Sequence, residues 1–215
     1  MIKGCIFDLD GVICDTAQFH FIAWKELANG LGIPFDEAFN EKLKGVSRVD
    51  SLELILENGN LTLDTSRKEE LLNLKNQRYL ELVEGMSQSD ILPGMAEFIF
   101  VLAAGGILKG VGSSSKNAKR ILDKLRITKA FEVIVDGNMI KNSKPHPEVF
   151  LKCADLLGLE PSECVVIEDA QAGVEAAKRA GMIAIGVGTK ENLPNADTWV
   201  TDFRHRTLDD ILKEI

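Results

Sequence analysis

Apolar residues follow two different rhythms along this chain. Near the start, Cys5-Ile6-Phe7 is a short apolar run bounded by Gly4 and Asp8, the pattern of a strand buried on both faces. After Asp15 and Thr16, a pair suited to capping a helix, Phe21, Trp24, Leu27, Ala28 and Leu31 recur at helical spacing, which predicts an amphipathic helix over 17–31. From Asp36 to about Gly85 the helical period continues, with Leu52, Ile55 and Leu56 in one segment and Leu71, Leu74, Tyr79 and Leu82 in another. No strand is evident there. Beyond Pro93-Gly94 the rhythm changes: apolar runs over 107–111, 133–135, 165–167 and 183–187 are separated by segments of helical pattern.

Strands alternating with helices predict an α/β fold, a doubly wound parallel-sheet (Rossmann-like) core. The first strand belongs with the C-terminal part, so the helical block reads as an insertion. The expected division is an α/β core over 1–14 and 89–215 and a small all-helical cap domain over 15–88. Two crossings, near 11–15 and 85–89, are the expected hinges. A chain of 215 residues has room for one good-sized core and a small second unit, at roughly 100 to 200 residues per domain.

Composition narrows the functional classes. Hydrophobic residues at 45% and charged residues at 27% describe an ordinary globular protein. The net charge of −8 and pI near 5.0 provide no basic face for nucleic acid, and a phosphorylated small molecule is repelled at long range. Any phosphate site must therefore be a local cluster of Lys, Arg and backbone N–H groups, helped by a cation. Cys5, Cys14, Cys153 and Cys164 form no C-x-x-C pair and are expected to be buried free thiols. The N-terminus reaches an acidic pair too early for a signal segment, and no apolar run approaches about 18 residues. A cytoplasmic protein without membrane partners is expected.

Four features carry chemistry. Asp8-Leu9-Asp10-Gly11 closes the first predicted strand, and the carboxyl ends of parallel strands are where open α/β sheets bind ligands. Two carboxylates this close repel unless a cation or a shared proton relieves them. One can bind metal and attack phosphorus while the other works as general acid and base, although an isolated D-x-D is more often a turn or cap. Gly112-Ser113-Ser114-Ser115-Lys116-Asn117 follows another apolar run and precedes a helical segment, a ready anion site if it is not a plain helix cap. In Ser143-Lys144-Pro145, Lys144 can neutralise a phosphoryl group or be an ordinary surface lysine. Ile167-Glu168-Asp169 ends a further strand with hard oxygen ligands of the kind that suit Mg²⁺.

All four lie at carboxyl ends of predicted parallel strands, in the order acidic pair, hydroxyl, lysine, acidic pair. On that ordered set, spanning essentially the whole chain, the sequence is identified as a member of the haloacid dehalogenase superfamily. The resemblance implies Asp8 as nucleophile, Asp10 as general acid and base, Ser113 as the conserved hydroxyl and Lys144 as the lysine that steadies the phosphoryl charge. It implies a Mg²⁺ cofactor held by Asp8, the backbone carbonyl of Asp10, and Glu168, Asp169 or both. Dehalogenases of the superfamily lack the second aspartate, so Asp10 favours phosphoryl transfer.

The helical insertion resembles that of the β-phosphoglucomutase family more than that of a generic phosphatase. The run Leu43 to Leu52 carries most of this resemblance, with Asp15-Thr16, His20, Trp24, Lys75-Asn76 and, on the core side, Ser115-Lys116-Asn117. It implies a substrate-binding set of His20, Trp24, Lys44, Gly45, Val46, Arg48, Ser51, Lys75, Asn76, Ser115, Lys116 and Asn117. Arg48 can grip a phosphate bidentately opposite Lys116 and Asn117, forming the local basic cluster that the acidic composition demands. The expected reaction interconverts β-D-glucose 1-phosphate and D-glucose 6-phosphate through an aspartyl-phosphate and a β-D-glucose 1,6-bisphosphate, with small sugar phosphates as the only partners of a monomer. A sugar-phosphate phosphatase shares every core residue. A phospho-receiver domain also uses Asp, a metal, a hydroxyl and Lys, but needs neither Asp10 nor a lid. Tyr79, His146, Trp199 and His205 show no pattern beyond packing or surface.

Overall fold

The computed structural model describes residues 1–215. Its centre is a six-stranded sheet, entirely parallel, in the order β3-β2-β1-β4-β5-β6. The strands are β1 (Gly4–Phe7), β2 (Leu108–Gly112), β3 (Val133–Val135), β4 (Cys164–Glu168), β5 (Ile183–Val187) and β6 (Thr198–Val200). Every residue of β1 and β4 is buried, as expected of continuous apolar runs in a sheet covered on both faces. β6 was not foreseen. It has three residues at the sheet edge, and Trp199, half-buried there, donates its indole N–H to the Leu193 carbonyl at 2.9 Å.

Helices α1 (Ala17–Gly30), α2 (Glu37–Glu41), α3 (Arg48–Asn58) and α4 (Thr65–Val83) come between β1 and β2, followed by α5 (Met95–Ala104). After β2 come α6 (Ala118–Lys124), α7 (Glu148–Leu157), α8 (Gln171–Arg179) and α9 (Leu208–Leu212). Two apolar clusters flank the sheet, and a third, containing Trp24, Ile33, Leu52, Ile55 and Leu71, holds the inserted helices together. Ala23, Tyr79 and Val83 pack with the sheet cluster instead, so α1 and α4 bridge the two units.

The buried stripe of α4 is Leu71, Lys75, Tyr79 and Val83, spaced four apart on one face. Leu74, expected on that face, is exposed. Reading apolar residues alone hides the true stripe, because a lysine occupies its middle. The segments before α1 and before α5 pair with each other: Cys14 bridges Ile91, and the Leu92 N–H bonds the Ile13 carbonyl at 2.9 Å. All four cysteines are buried and free. No helix is long and apolar enough to cross a membrane.

Candidate active site

The register of the sheet assembles the site. Phe7, the last residue of β1, lies beside Val111 of β2 and Ile167 of β4, so the next residues of the three segments, Asp8, Gly112-Ser113 and Glu168-Asp169, emerge together. The order of the strands reverses between β1 and β4, which opens a crevice at their carboxyl ends. Asp8 is anchored there by its N–H to the Ile167 carbonyl at 2.9 Å.

Beneath Asp8 sits Lys144, whose side chain is fully buried and whose ammonium pairs with both Asp8 and Glu168, the latter at 2.5 Å. Burial alone would lower its pKa, but the two carboxylates outweigh it and hold Lys144 protonated. Glu168 is completely buried and accepts the Ala170 N–H at 3.0 Å. Burial, opposed by Lys144, raises its pKa to about 7, and burial beside Glu168 and Asp8 raises that of Asp169 as well. Oxygen atoms of Asp8, Glu168 and Asp169 all lie within 4.8 Å of one another. Three hard donors so close, with burial raising the pKa values of Glu168 and Asp169, fit a small divalent cation.

Two glycines make this crowding possible. Gly11 has φ +87° and faces the Asp169 carboxylate, which a Cβ would strike. Gly173, in the first turn of α8, lies against the Glu168 carboxylate, and a side chain there would meet it head on.

Asp10 has different neighbours. The Thr16 hydroxyl donates to it through a short hydrogen bond, the Tyr79 hydroxyl lies 3.5 Å away, and His20 Nε2 lies at 3.9 Å. Burial, then the negative charge of Asp8, raises Asp10 to about 6, with the Thr16 bond working in the opposite direction. Thr16 thus differs from expectation: it stands at the start of α1, but its side chain caps no helix N–H and goes to Asp10. Tyr79, whose sequence pattern shows nothing beyond packing, also turns its hydroxyl to the same carboxylate. Its ring stacks at 4.1 Å from His20.

The inserted helices provide the opposite wall. His20 Nδ1 lies 2.7 Å from the Lys75 ammonium, which is stacked over the Trp24 and Tyr79 rings at 4.6 and 4.9 Å. Burial first, then Arg48, lowers Lys75 to about 7. Burial and the same cations keep His20 neutral, so Nδ1 accepts from Lys75 and the ring proton sits on Nε2, toward Asp10. Arg48 opens α3 and is half-buried, with its pKa lowered by burial. On the core side, Ser113 Oγ accepts the Ser115 N–H at 3.1 Å and Ser115 Oγ accepts the Asn117 N–H at 3.2 Å, folding the segment into a turn. Asn117 then reaches across to Asn76 at 2.9 Å.

Between the walls is a cavity of about 660 Å³. Asp8, Asp10, Ser113, Asp169, His20, Trp24, Lys44, Gly45, Val46, Arg48, Ser51, Lys75, Asn76, Ser115, Lys116 and Asn117 all line it. Lys144 and Glu168 do not line it; they lie behind Asp8 and act on it from below.

The haloacid dehalogenase-like hydrolase family matches residues 2–181. The chain belongs to this family. Among the relatives it resembles, a β-phosphoglucomutase of Bacillus subtilis (strain 168) is 43% identical over 210 residues, covering 97% of this chain and 93% of that one. A fructose-1-phosphate phosphatase of Escherichia coli (strain K12) is 32% identical over 185 residues, covering 86% and 95%. Among solved structures, a β-phosphoglucomutase from Clostridium difficile superimposes with a TM-score of 0.95 at 42% identity, covering 100% of this chain and 97% of that one.

Proposed function

We infer that this enzyme catalyses the β-phosphoglucomutase reaction, the reversible conversion of β-D-glucose 1-phosphate and D-glucose 6-phosphate through a β-D-glucose 1,6-bisphosphate. The observation that carries the reading is a cavity with anion-binding groups on both walls. The core wall carries Asp8, Ser113 and Asp169 beside the Ser115-Lys116-Asn117 turn, and the helical wall carries Arg48 and Lys75. A phosphatase needs one phosphate site and a water; a mutase must hold the two ends of a bisphosphate in either orientation. The full-length similarity to the B. subtilis and C. difficile mutases supports the same choice, against the weaker match to the E. coli phosphatase.

In this mechanism Asp8 carries the phosphoryl group. A sugar hydroxyl attacks phosphorus, the bond between phosphorus and the Asp8 oxygen breaks, and Asp10 takes the hydroxyl proton. After the bisphosphate turns round, Asp8 attacks the other phosphorus and Asp10 returns the proton to the departing oxygen. A value near 6 lets Asp10 exist in both protonation states near neutral pH, and Thr16, His20 and Tyr79 hold it in place. Lys144 balances charge on Asp8. A Mg²⁺ ion held by Asp8, Asp169, Glu168 and the Asp10 carbonyl would neutralise the transferring oxygens. Arg48, Ser115, Lys116 and Asn117 grip the phosphate that is not reacting. The buried free thiols support a reducing, cytoplasmic setting.

The test is a phosphorus NMR time course with β-glucose 1-phosphate, Mg²⁺ and a trace of the bisphosphate. Growth of the glucose 6-phosphate signal ahead of inorganic phosphate is expected. Inorganic phosphate as the main product would make the chain a phosphatase.

A further inference from the structure

One contact between the two walls involves no residue assigned above. Asp50 lies in the first turn of α3, two residues after Arg48, and its Oδ2 accepts the Ser47 hydroxyl at 2.6 Å. The same oxygen accepts the Ser143 hydroxyl at 2.7 Å, from a residue 93 positions away on the core. Ser47 Oγ in turn accepts the Asp50 N–H at 3.2 Å. The carboxylate is therefore oriented by its own helix end and presented to the core loop.

Ser143 directly precedes Lys144, the residue paired to Asp8 and Glu168. The contact thus joins the helix turn bearing the phosphate-gripping Arg48 to the loop bearing the charge-balancing Lys144. Both Asp50 and Ser143 line the cavity. A bond of this kind exists only while the helical block is down on the core, so it contributes to the closed state and to nothing in the open one.

We propose that Asp50 is a positioning residue whose hydrogen bond to Ser143 latches the closed helical block onto the Lys144 loop. The proposal rests on the mutase reading, in which closure over the sugar excludes water from phospho-Asp8. Losing the latch shifts the block toward open without touching the reacting atoms. Substrate then has to supply the closure that the latch supplied, and the loss is read in KM rather than in the core chemistry.

The experiment compares Ser143→Ala, Ser143→Thr, Asp50→Ala and the Asp50→Ala/Ser143→Ala double variant. Kinetics with β-glucose 1-phosphate are measured beside the labelling of Asp8 by acetyl phosphate, a donor small enough to need no closed block. Each alanine variant should raise KM about fivefold, the factor for one net hydrogen bond of about 1 kcal/mol. The double variant should be no worse than the poorer single one, since both remove the same bond. Ser143→Thr, which keeps the hydroxyl, should restore KM, and acetyl phosphate labelling should change by less than KM does.

Additive losses, or an Asp50→Ala defect with Ser143→Ala unchanged, would reduce Asp50 to a capping residue of α3 and overturn the latch. If Asp50→Ala does not fold, the contrast between Ser143→Ala and Ser143→Thr decides alone. A wild type that hydrolyses without isomerising would overturn the mutase reading. The latch is then judged separately, by whether Ser143→Ala speeds hydrolysis of phospho-Asp8 and Ser143→Thr does not.

Discussion

Asp8 and Asp10 are the same side chain two positions apart, and their neighbours give them different work. Asp8 faces Lys144 and the metal-type carboxylates, whereas Asp10 faces a hydroxyl from Thr16 and the edge of the Tyr79–His20 pair. Asp8→Asn should therefore abolish both labelling by acetyl phosphate and turnover, because an amide is no nucleophile. Asp10→Asn should still accept a phosphoryl group but slow sugar turnover by ~10² to 10⁴, the usual share of a general acid and base. Equal loss of labelling in both variants would show that the two are not divided this way. Lys75 offers a test that does not pass through catalysis. Its pKa falls from 10.5 to about 7 through burial and the nearby Arg48, so between those values the unfolded chain holds more protons than the folded one. Stability should rise with pH across that window, and the penalty is present in full below about 7. Lys75→Met should raise the melting temperature at pH 6.5 and gain progressively less toward pH 10, measured by calorimetry. A loss at both would mean that His20 and the Trp24 and Tyr79 rings compensate the buried ammonium. The acidic pairs and Ser113 were legible because each closes or follows an apolar run, whereas Lys144, well beyond the end of β3, stood out only by its place in the ordered set of four motifs. Thr16 and Tyr79 were not, because a hydroxyl read locally looks like a cap and an aromatic at helical spacing looks like core. Their roles depend on a contact with Asp10 that no local pattern encodes.

Elements differ in legibility for a related reason. β1, β4 and β5 are continuous apolar runs bounded by polar or glycine residues, and the structure places them within a residue of expectation. β6 is three residues long at the sheet edge and carries too little pattern to be seen. In α4 the buried face runs Leu71, Lys75, Tyr79, Val83; a charged residue in the stripe breaks the apolar count, and that residue belongs to the site. The fold and the site thus compete for the same positions, and pattern fails where the site prevails. Helix α8 shows the competition in reverse. Replacing a helical glycine by alanine normally stabilises by about 1 kcal/mol, so Gly173 looks like an improvable residue. Its missing Cβ is what lets α8 lie against the Glu168 carboxylate. Gly173→Ala should therefore lower stability and raise the Mg²⁺ concentration needed for half-maximal activity, since Glu168 or the helix must shift. A variant more stable than wild type with unchanged Mg²⁺ dependence would show that α8 and β4 separate without disturbing the site.

At the scale of the whole molecule, the sheet and the inserted helices share one cavity, and the segments leading into and out of those helices pair through Cys14 and Ile91. Glu84, at the end of α4, is fixed to Arg120 and to Lys124 of α6, the latter at 2.7 Å. The helix that carries Lys75 is thus anchored to the one that follows the Ser115-Lys116-Asn117 turn. At the other side of the cavity, α3 brings Arg48 to the core. Arg48 makes no contact with Asp8 or Lys144, and its half-buried guanidinium lacks a carboxylate partner among the ion pairs of the structure. In the proposed mechanism a distal phosphate satisfies that charge and draws the helical block shut over the sugar. Removing Arg48 should spare the core chemistry, so Arg48→Ala should still form phospho-Asp8 from acetyl phosphate. Mutase flux should fall by a transition-state cost on the order of 2 kcal/mol or more, the lower end of what truncating one partner of a charged contact removes. Hydrolysis of the phosphoenzyme should persist or rise, because a block left ajar excludes water less well. The quantity to measure is the ratio of sugar-phosphate isomerisation to phosphate release, in wild type and variant side by side. A ratio unchanged by the substitution would remove Arg48 from the distal phosphate site and leave the helical block without its main reason to close.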